Sequence, residues 1–299
     1  MNDDLLTFAQ NFRNSYRGSI PSAGTPDVFA EIKKVNIPSK DAEYDIPVNF
    51  YIPKVVDSES LPVVVFAHGG CFISGDLDTH AVMAHTIANG AKAIVAYVDY
   101  RLAPEHPFPT GLNDFYTTIE WISSNATQIG ADANKIAVCG DSAGANFATV
   151  AAMMARDKNG PKIIGQWLIY IYAASLEANT PSWNKLGETY FPTKEVFINS
   201  IDAYVPNVSE RDSLYIAPLD GNHKNLPPAF IQVGELDPLS DENVAYNNAL
   251  IQAGVKSEVH VYDKQTHGFI QFFKASEQNT EGLKAINDGI DFLNSLFKD

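Results

Sequence analysis

Short apolar runs rich in β-branched residues recur along the chain and alternate with segments of helical periodicity. Six such runs occupy residues 61–70, 93–101, 135–142, 163–171, 228–236 and 258–264. The first three are continuously apolar, which is typical of strands buried on both faces of a parallel sheet. Segments 80–93 and 112–127 carry helical patterns between them. Strands that alternate with helices predict an α/β fold with a mostly parallel, doubly wound sheet.

A different pattern precedes these runs. Residues 29–39, "FAEIKKVNIPS", and 44–54, "YDIPVNFYIPK", each alternate apolar and polar positions around a polar turn. Such alternation predicts an antiparallel hairpin at one edge of the sheet. The sheet is therefore expected to be mixed, with the functional site on its parallel part.

Composition narrows the class of protein. The 299 residues are 45% hydrophobic, enough for one large domain spanning residues 1–299. The 36 acidic and 21 basic residues give a formal net charge of −15, which disfavours nucleic acid and anionic lipid as partners. Residues 1–18 carry acids where a secretory signal is basic, and no apolar stretch reaches the roughly 18 residues of a membrane helix. We therefore expect a cytoplasmic protein, and the two cysteines are too few for a disulfide framework or a structural zinc site.

One glycine-flanked serine stands between a predicted strand and a predicted helix over 143–156. Residues 140–144 read Gly-Asp-Ser-Ala-Gly, the pattern G-x-S-x-G. Glycines at both ends permit a turn too sharp for side chains, so that the hydroxyl of Ser142 projects from the sheet. A plain turn is the alternative, but the strand and helix on either side favour a nucleophile.

A serine nucleophile needs a base, and in this type of fold the base follows the nucleophile and the acid along the chain. Two late histidines qualify. His260 alternates with valines inside a predicted strand, which favours a packed or edge position. His267 lies in a loop after that strand, beside Gly268, and is the preferred base.

The acid that orients the base is expected after the strand at 229–233. Four carboxylates follow it: Glu235, Asp237, Asp241 and Glu242. Asp237 is the preferred acid because Pro238 fixes the backbone after it, and Glu235 is the reserve. Asp241 and Glu242 are expected to solvate the loop and cap a helix that starts near Asp241.

An acyl-transfer site also needs hydrogen-bond donors for the oxyanion. The predicted strand at 61–67 is followed by "HGGCF", where Gly69, Gly70 and Cys71 present successive backbone N–H groups, to which that of Ala143 can be added. His68 is expected to hold this loop by hydrogen bonds.

Together these motifs resemble the hormone-sensitive-lipase-like family of α/β-hydrolases. The resemblance rests on "HGGCF", "YRLAPEHPFP", "GDSAG", "LPPAFIQVGELDPLSDE" and "HGF", in the family's order over residues 60–270. It implies the α/β-hydrolase fold and a serine carboxylesterase without metal or organic cofactor, using Ser142, Asp237 and His267. It also implies a structural brace beneath the site, formed by Tyr100, Arg101 and Glu105. The chain departs from the family at Cys71, where the motif has glycine, and at Ala145, where glycine is frequent.

The resemblance further implies a small helical cap over the site, built from residues 1–25 and 175–215. Both segments are rich in aromatic residues, which are more often core than pocket. A small enclosed site favours a small-molecule ester with a short acyl chain. Two alternatives stay open: an amidase or formamidase on the same scaffold, and a hydrolase-like binding protein without turnover, against which the presence of His267 argues. The sequence does not indicate the oligomeric state or the physiological ester.

Overall fold

The computed structural model describes residues 3–28, 31–53, 60–174, 179–211, 213–276 and 279–298. The described residues form one eight-stranded sheet. The strands are β1 (Glu31–Pro38), β2 (Asp45–Ile52), β3 (Leu61–Ala67), β4 (Ile94–Val98), β5 (Ala131–Asp141), β6 (Ile163–Ile169), β7 (Ala229–Gly234) and β8 (Ser257–Tyr262). Their order across the sheet is β1-β2-β4-β3-β5-β6-β7-β8.

The sheet is mixed, as the sequence predicts. β1 and β2 form the antiparallel edge hairpin, with Glu31 opposite Ile52, and β2 is also antiparallel to β4. All other neighbours are parallel. Residues 29, 30 and 54 of the predicted hairpin lie outside the described residues. β5 begins at Ala131, earlier than its apolar pattern predicts, because a shift in register lets Ala131 pair with Leu61.

Helices cover both faces of the sheet. They are α1 (Asp3–Gly18), α2 (Ala81–Ala91), α3 (Thr110–Asn125), α4 (Ala143–Asp157), α5 (Pro181–Leu186), α6 (Lys194–Tyr204), α7 (Ser240–Gln252) and α8 (Thr280–Phe297). α2 and α8 pack on one face through residues such as Met83 and Leu293. α3, α4 and α7 pack on the other through Phe115, Phe147 and Leu250.

The segments of the predicted cap lie at the carboxyl ends of the parallel strands. α1 contacts α6, and the ring of Phe12 on α1 stacks on that of Phe191 at 6.2 Å between centroids. Residues 1–2, 175–178 and 212 of the predicted cap segments are outside the described residues. Among the helices of the described ranges, none combines the length and the apolar character that crossing a membrane requires.

Candidate active site

Ser142 lies in a sharp turn between β5 and α4. Its backbone has a φ of 54°, and its N–H donates to the carbonyl of Ile169 on β6 at 2.8 Å. A Cβ atom at Gly140 would lie 2.3 Å from the carbonyl carbon of Gly144, and one at Gly144 would lie 2.0 Å from the carbonyl oxygen of Ala67. The flanking glycines are therefore required by close backbone contacts, which is the steric reason that the sequence suggests.

His267 and Asp237 form a hydrogen-bonded chain with this serine. His267 Nε2 lies 3.0 Å from Ser142 Oγ, and His267 Nδ1 lies 2.7 Å from Asp237 Oδ2. Asp237 is fully buried, and its second oxygen accepts the N–H of Leu239 at 2.9 Å. With Nδ1 donating to the carboxylate, Nε2 is left as an acceptor toward the serine hydroxyl. The structure thus brings His267 into contact with Asp237, which lies 30 positions earlier in the chain, and with Ser142, which lies 125 positions earlier.

The other candidates for base and acid point elsewhere. His260 lies on the edge strand β8 and hydrogen-bonds to Glu258 at 2.5 Å. Glu235 accepts the N–H of Lys264 at 3.0 Å. Neither side chain joins the chain of hydrogen bonds that leads to Ser142.

The expectation for Asp241 and Glu242 was wrong. They lie in the first turn of α7, but Asp241 accepts the N–H of Ser182 at 2.7 Å instead of capping its own helix. Glu242 is 1% exposed and accepts the N–H of Ala173 at 2.7 Å. Burial raises the pKa of Glu242 to about 7, against the lowering effect of its hydrogen bonds with the N–H groups of Ala173 and Ala174 and with Trp183. Both carboxylates hold the segment after β6 rather than solvating a loop.

The backbone after β3 faces Ser142 with part of the predicted donor set. Within the described part of the chain, the backbone N–H groups of Gly70, Cys71 and Ala143 donate to no hydrogen-bond acceptor. The N–H of Gly69, however, donates to Asp141 Oδ1 at 2.7 Å. The prediction that Gly69 is an oxyanion donor was therefore wrong, because its N–H already has a buried partner.

Asp141 is a buried charge beside the nucleophile. Its second oxygen lies 3.2 Å from His80 Nε2, and both side chains are at most 2% exposed. Burial acts to raise the pKa of Asp141, but the adjacent His80 and the N–H of Gly69 lower it overall. An ionised Asp141 therefore fixes the start of the loop after β3. His80, which lies 61 positions away in the chain, gives no local sequence signal for this contact.

His68 holds the same loop, as expected. Its Nδ1 lies 2.7 Å from the carbonyl oxygen of Gly69, and its own carbonyl accepts the hydroxyl of Tyr100 at 2.7 Å. Burial lowers the pKa of His68 to about 4, so the ring is neutral at physiological pH. Tyr100 therefore braces the loop directly, in line with the family resemblance.

Two cavities meet at Ser142. One, of about 70 Å³, lies on the His267 side, and its wall includes the polar residues Tyr16, Asp141 and Gln271. The other, of about 20 Å³, has mainly apolar walls. Its residues include Phe72, Tyr172, Pro192, Phe197, Ile201 and Leu239. Tyr16 and Gln271, whose side chains are hydrogen-bonded at 3.0 Å, were not predicted from the sequence because the contact spans 255 positions.

Comparison with known proteins places the chain in a family. Residues 64–271 match the family described as having the alpha/beta hydrolase fold. The chain is 39% identical over 254 residues to carboxylesterase NlhH of Mycobacterium tuberculosis, covering 82% of this chain and 79% of that protein. It is 30% identical over 273 residues to ethyl acetate hydrolase of Pseudomonas putida, covering 90% and 85% of the two chains.

Solved structures agree with these relatives. A hyperthermophilic esterase from Pyrobaculum calidifontis superposes with a TM-score of 0.88 at 34% identity, over 97% of this chain and 93% of the other. EstE1, a thermophilic carboxylesterase cloned from a metagenomic library, superposes with a TM-score of 0.90 at 28% identity, over 98% and 97%. The chain belongs to the α/β-hydrolase fold family, among its hormone-sensitive-lipase-like carboxylesterases.

Proposed function

We propose that this carboxylic ester hydrolase acts through Ser142 as nucleophile, His267 as general base and Asp237 as the acid that orients the base. The observation that carries the proposal is the chain of hydrogen bonds from Ser142 Oγ to His267 Nε2 (3.0 Å) and from His267 Nδ1 to Asp237 (2.7 Å). A hydroxyl becomes a useful nucleophile when a neighbouring base removes its proton during attack. The buried carboxylate stabilises the imidazolium that results.

In the first half-reaction Ser142 Oγ attacks the ester carbonyl while His267 Nε2 takes its proton. The tetrahedral oxyanion is bound by the unengaged N–H groups of Gly70, Cys71 and Ala143. The C–O bond to the alcohol then breaks, and His267 gives the proton to the departing oxygen. An acyl group stays on Ser142.

The second half-reaction repeats the chemistry with water. His267 takes a proton from water as its oxygen attacks the acyl carbon, and the same N–H groups bind the second oxyanion. The bond to Ser142 Oγ breaks, and the serine recovers its proton from His267. The products are the carboxylic acid and the free enzyme.

The two cavities support an assignment of the substrate's halves. The alcohol must lie near His267, because its oxygen receives a proton from Nε2, and the larger cavity includes His267 in its wall. The acyl group then occupies the apolar cavity on the other side of Ser142. That cavity measures about 20 Å³, which favours short acyl chains.

We also propose that residues 1–25 and 175–215 act as a cap on a single domain. Tyr16 and Phe191 from these segments contribute to the walls of the larger cavity, and Phe197 contributes to the smaller one. The aromatic side chains would shield the site from bulk solvent, and the enclosure would limit the size of the ester.

The kinetics of four variants test the assignment of residues. We expect Ser142→Ala and His267→Ala each to lower kcat/KM for p-nitrophenyl acetate by several orders of magnitude, and the double variant to be little worse, because triad members act as one unit. His260→Ala is the matched control, since this histidine lies on the exposed edge strand, and it should keep activity within about threefold. An active His267→Ala alongside an inactive His260→Ala would refute the choice of base.

A further inference from the structure

The backbone after β3 is held in an unfavourable conformation where it faces Ser142. Three consecutive residues have positive φ: Gly70 at 125°, Cys71 at 56° and Phe72 at 65°. Residues other than glycine rarely adopt this region, and they stay there when surrounding contacts hold them. The donor geometry of this loop, residues 68–75, therefore depends on its neighbours.

Contacts from the sheet side hold the first part of the loop. The N–H of Gly69 donates to Asp141 at 2.7 Å, and the carbonyl of Phe72 accepts the N–H of Ala103 at 3.1 Å. Ile73 closes the loop from within, because its N–H donates to the carbonyl of Gly70 at 3.1 Å. The carbonyl of Ile73 accepts a hydrogen bond from outside the loop.

Arg13 on α1 binds that carbonyl. Its Nε donates to Ile73 O at 2.7 Å, so the N-terminal helix reaches the peptide that closes the turn. The two terminal nitrogens form a bidentate pair with Glu105, each at 2.7 Å, and one of them also donates to Ala103 O at 2.8 Å. One planar guanidinium thus makes four directed bonds, which an ammonium group cannot reproduce.

The partners of Arg13 belong to two different loops. Ile73 lies in the loop after β3, whereas Ala103 and Glu105 lie in the loop after β4. The hydrogen bond to Arg13 lowers the pKa of Glu105, so the pair is ionised at neutral pH. Glu105 therefore ties the helix α1 to the loop after β4.

We propose that Arg13 is a positioning residue for ester hydrolysis: it holds the Gly70–Phe72 backbone in the conformation in which Gly70 and Cys71 can donate to the oxyanion. α1 then contributes to stabilising the transition state as well as covering the site. This inference rests on the proposed serine mechanism, because it acts through the oxyanion donors of that mechanism.

Removing Arg13 should therefore lower the rate of the chemical step. Removing one oxyanion donor from a serine hydrolase lowers kcat by about 10² to 10³. A loop that has relaxed but still carries its N–H groups should lower kcat by less than the loss of a donor does, by about tenfold or more. Because the donors bind the oxyanion more strongly than the ground-state carbonyl, KM should change little.

The test compares Arg13→Gln and Arg13→Lys with Arg17→Gln. Arg17 lies one turn further along α1 and pairs with Asp76 and Asp78, so it controls for loss of a charge that joins this helix to the core. kcat and KM are measured with p-nitrophenyl acetate, per active site titrated with a fluorophosphonate. The inhibition constant of a trifluoromethyl ketone, whose adduct with serine mimics the oxyanion, gives a readout that a loss of stability alone would not move.

We expect both Arg13 variants to lower kcat at least about tenfold and to weaken the ketone in parallel, with KM within about threefold and Arg17→Gln close to the parent. Arg13 variants that match Arg17→Gln in kcat and in ketone affinity would overturn the proposal. If Arg13→Gln does not fold, the same two outcomes apply to Arg13→Lys, which keeps the charge. The activity of Ser142→Ala distinguishes a failure of the Arg13 proposal from a failure of the serine mechanism. An active Ser142→Ala variant would contradict the serine mechanism, whatever the kinetics of the Arg13 variants.

Discussion

At the scale of single residues, Cys71 is the position where the sequence leaves its family. Its φ of 56° lies in the left-handed region, so glycine would fit the backbone with less strain there, by about 1 to 2 kcal/mol. Burial raises the pKa of its thiol to about 12, which keeps the thiol protonated and unreactive at neutral pH. The side chain contributes to the walls of both cavities at Ser142, so its effect is expected on substrate size rather than on chemistry.

The variant Cys71→Gly tests this interpretation. Removing the side chain enlarges the space beside the acyl carbon and leaves the backbone N–H in place, so activity on acetyl esters should stay within about tenfold of the parent. Relative activity on butyryl and hexanoyl esters should rise. Specificity constants for the three p-nitrophenyl esters are compared in parent and variant. An unchanged chain-length profile would remove Cys71 from acyl selection, and complete loss of acetyl ester hydrolysis would mean that the thiol takes part in catalysis.

At the scale of elements, periodicity predicted most of the sheet. The strands read from apolar runs match β3, β4, β6, β7 and β8 within a few residues, and the alternating segments form the edge hairpin. The early start of β5 was not predictable, because Ala131 to Asn134 carry no apolar run and join the sheet through a register shift opposite β3. An apolar pattern indicates burial, whereas the pairing of Ala131 with Leu61 depends on the neighbouring strand.

The residues of the site likewise fall into those that the sequence predicted and those that it did not. Ser142, Asp237 and His267 could be chosen from the sequence because each stands at a strand end in a motif with limited alternatives. Glu242 was misjudged, since a carboxylate in a first helical turn has the same local pattern whether it is exposed or, as here, buried against Ala173. The bond between Arg13 and Ile73 spans 60 positions and leaves no local trace in the sequence. Contacts of this kind become visible when the fold is known.

At the scale of the whole molecule, a buried neutral histidine links stability to pH. The ordinary pKa of histidine is about 6.5, whereas burial lowers that of His68 to about 4 in the folded protein. Between these values the unfolded chain binds a proton at His68 that the folded chain does not bind. The contribution of His68 to the free energy of unfolding is therefore complete above about pH 6.5 and is lost as the pH falls toward 4.

We expect this loss to reach about 2 to 3 kcal/mol near pH 4.5, on the basis of about 1.4 kcal/mol for each pKa unit. Urea unfolding of the parent and of His68→Gln at pH 7.5 and 4.5 measures it, and the stability advantage of the parent should shrink in acid by that amount. Tyr100→Phe is the matched control, because it removes the hydroxyl beside His68 and keeps the titrating ring. Parallel pH profiles for the parent and His68→Gln would contradict a histidine held neutral by burial.

In the proposed mechanism, hydrolysis passes through an acyl group on Ser142. The most direct measurement is peptide mass spectrometry of enzyme quenched in acid during turnover of p-nitrophenyl acetate. We expect one acetyl group, carried by the peptide that contains Ser142 and absent from Ser142→Ala, because attack by Ser142 Oγ precedes attack by water. An acetyl group on Cys71 or His267 instead, or an active enzyme whose Ser142 peptide is never acetylated under conditions that trap the intermediate in a known serine esterase, would contradict it.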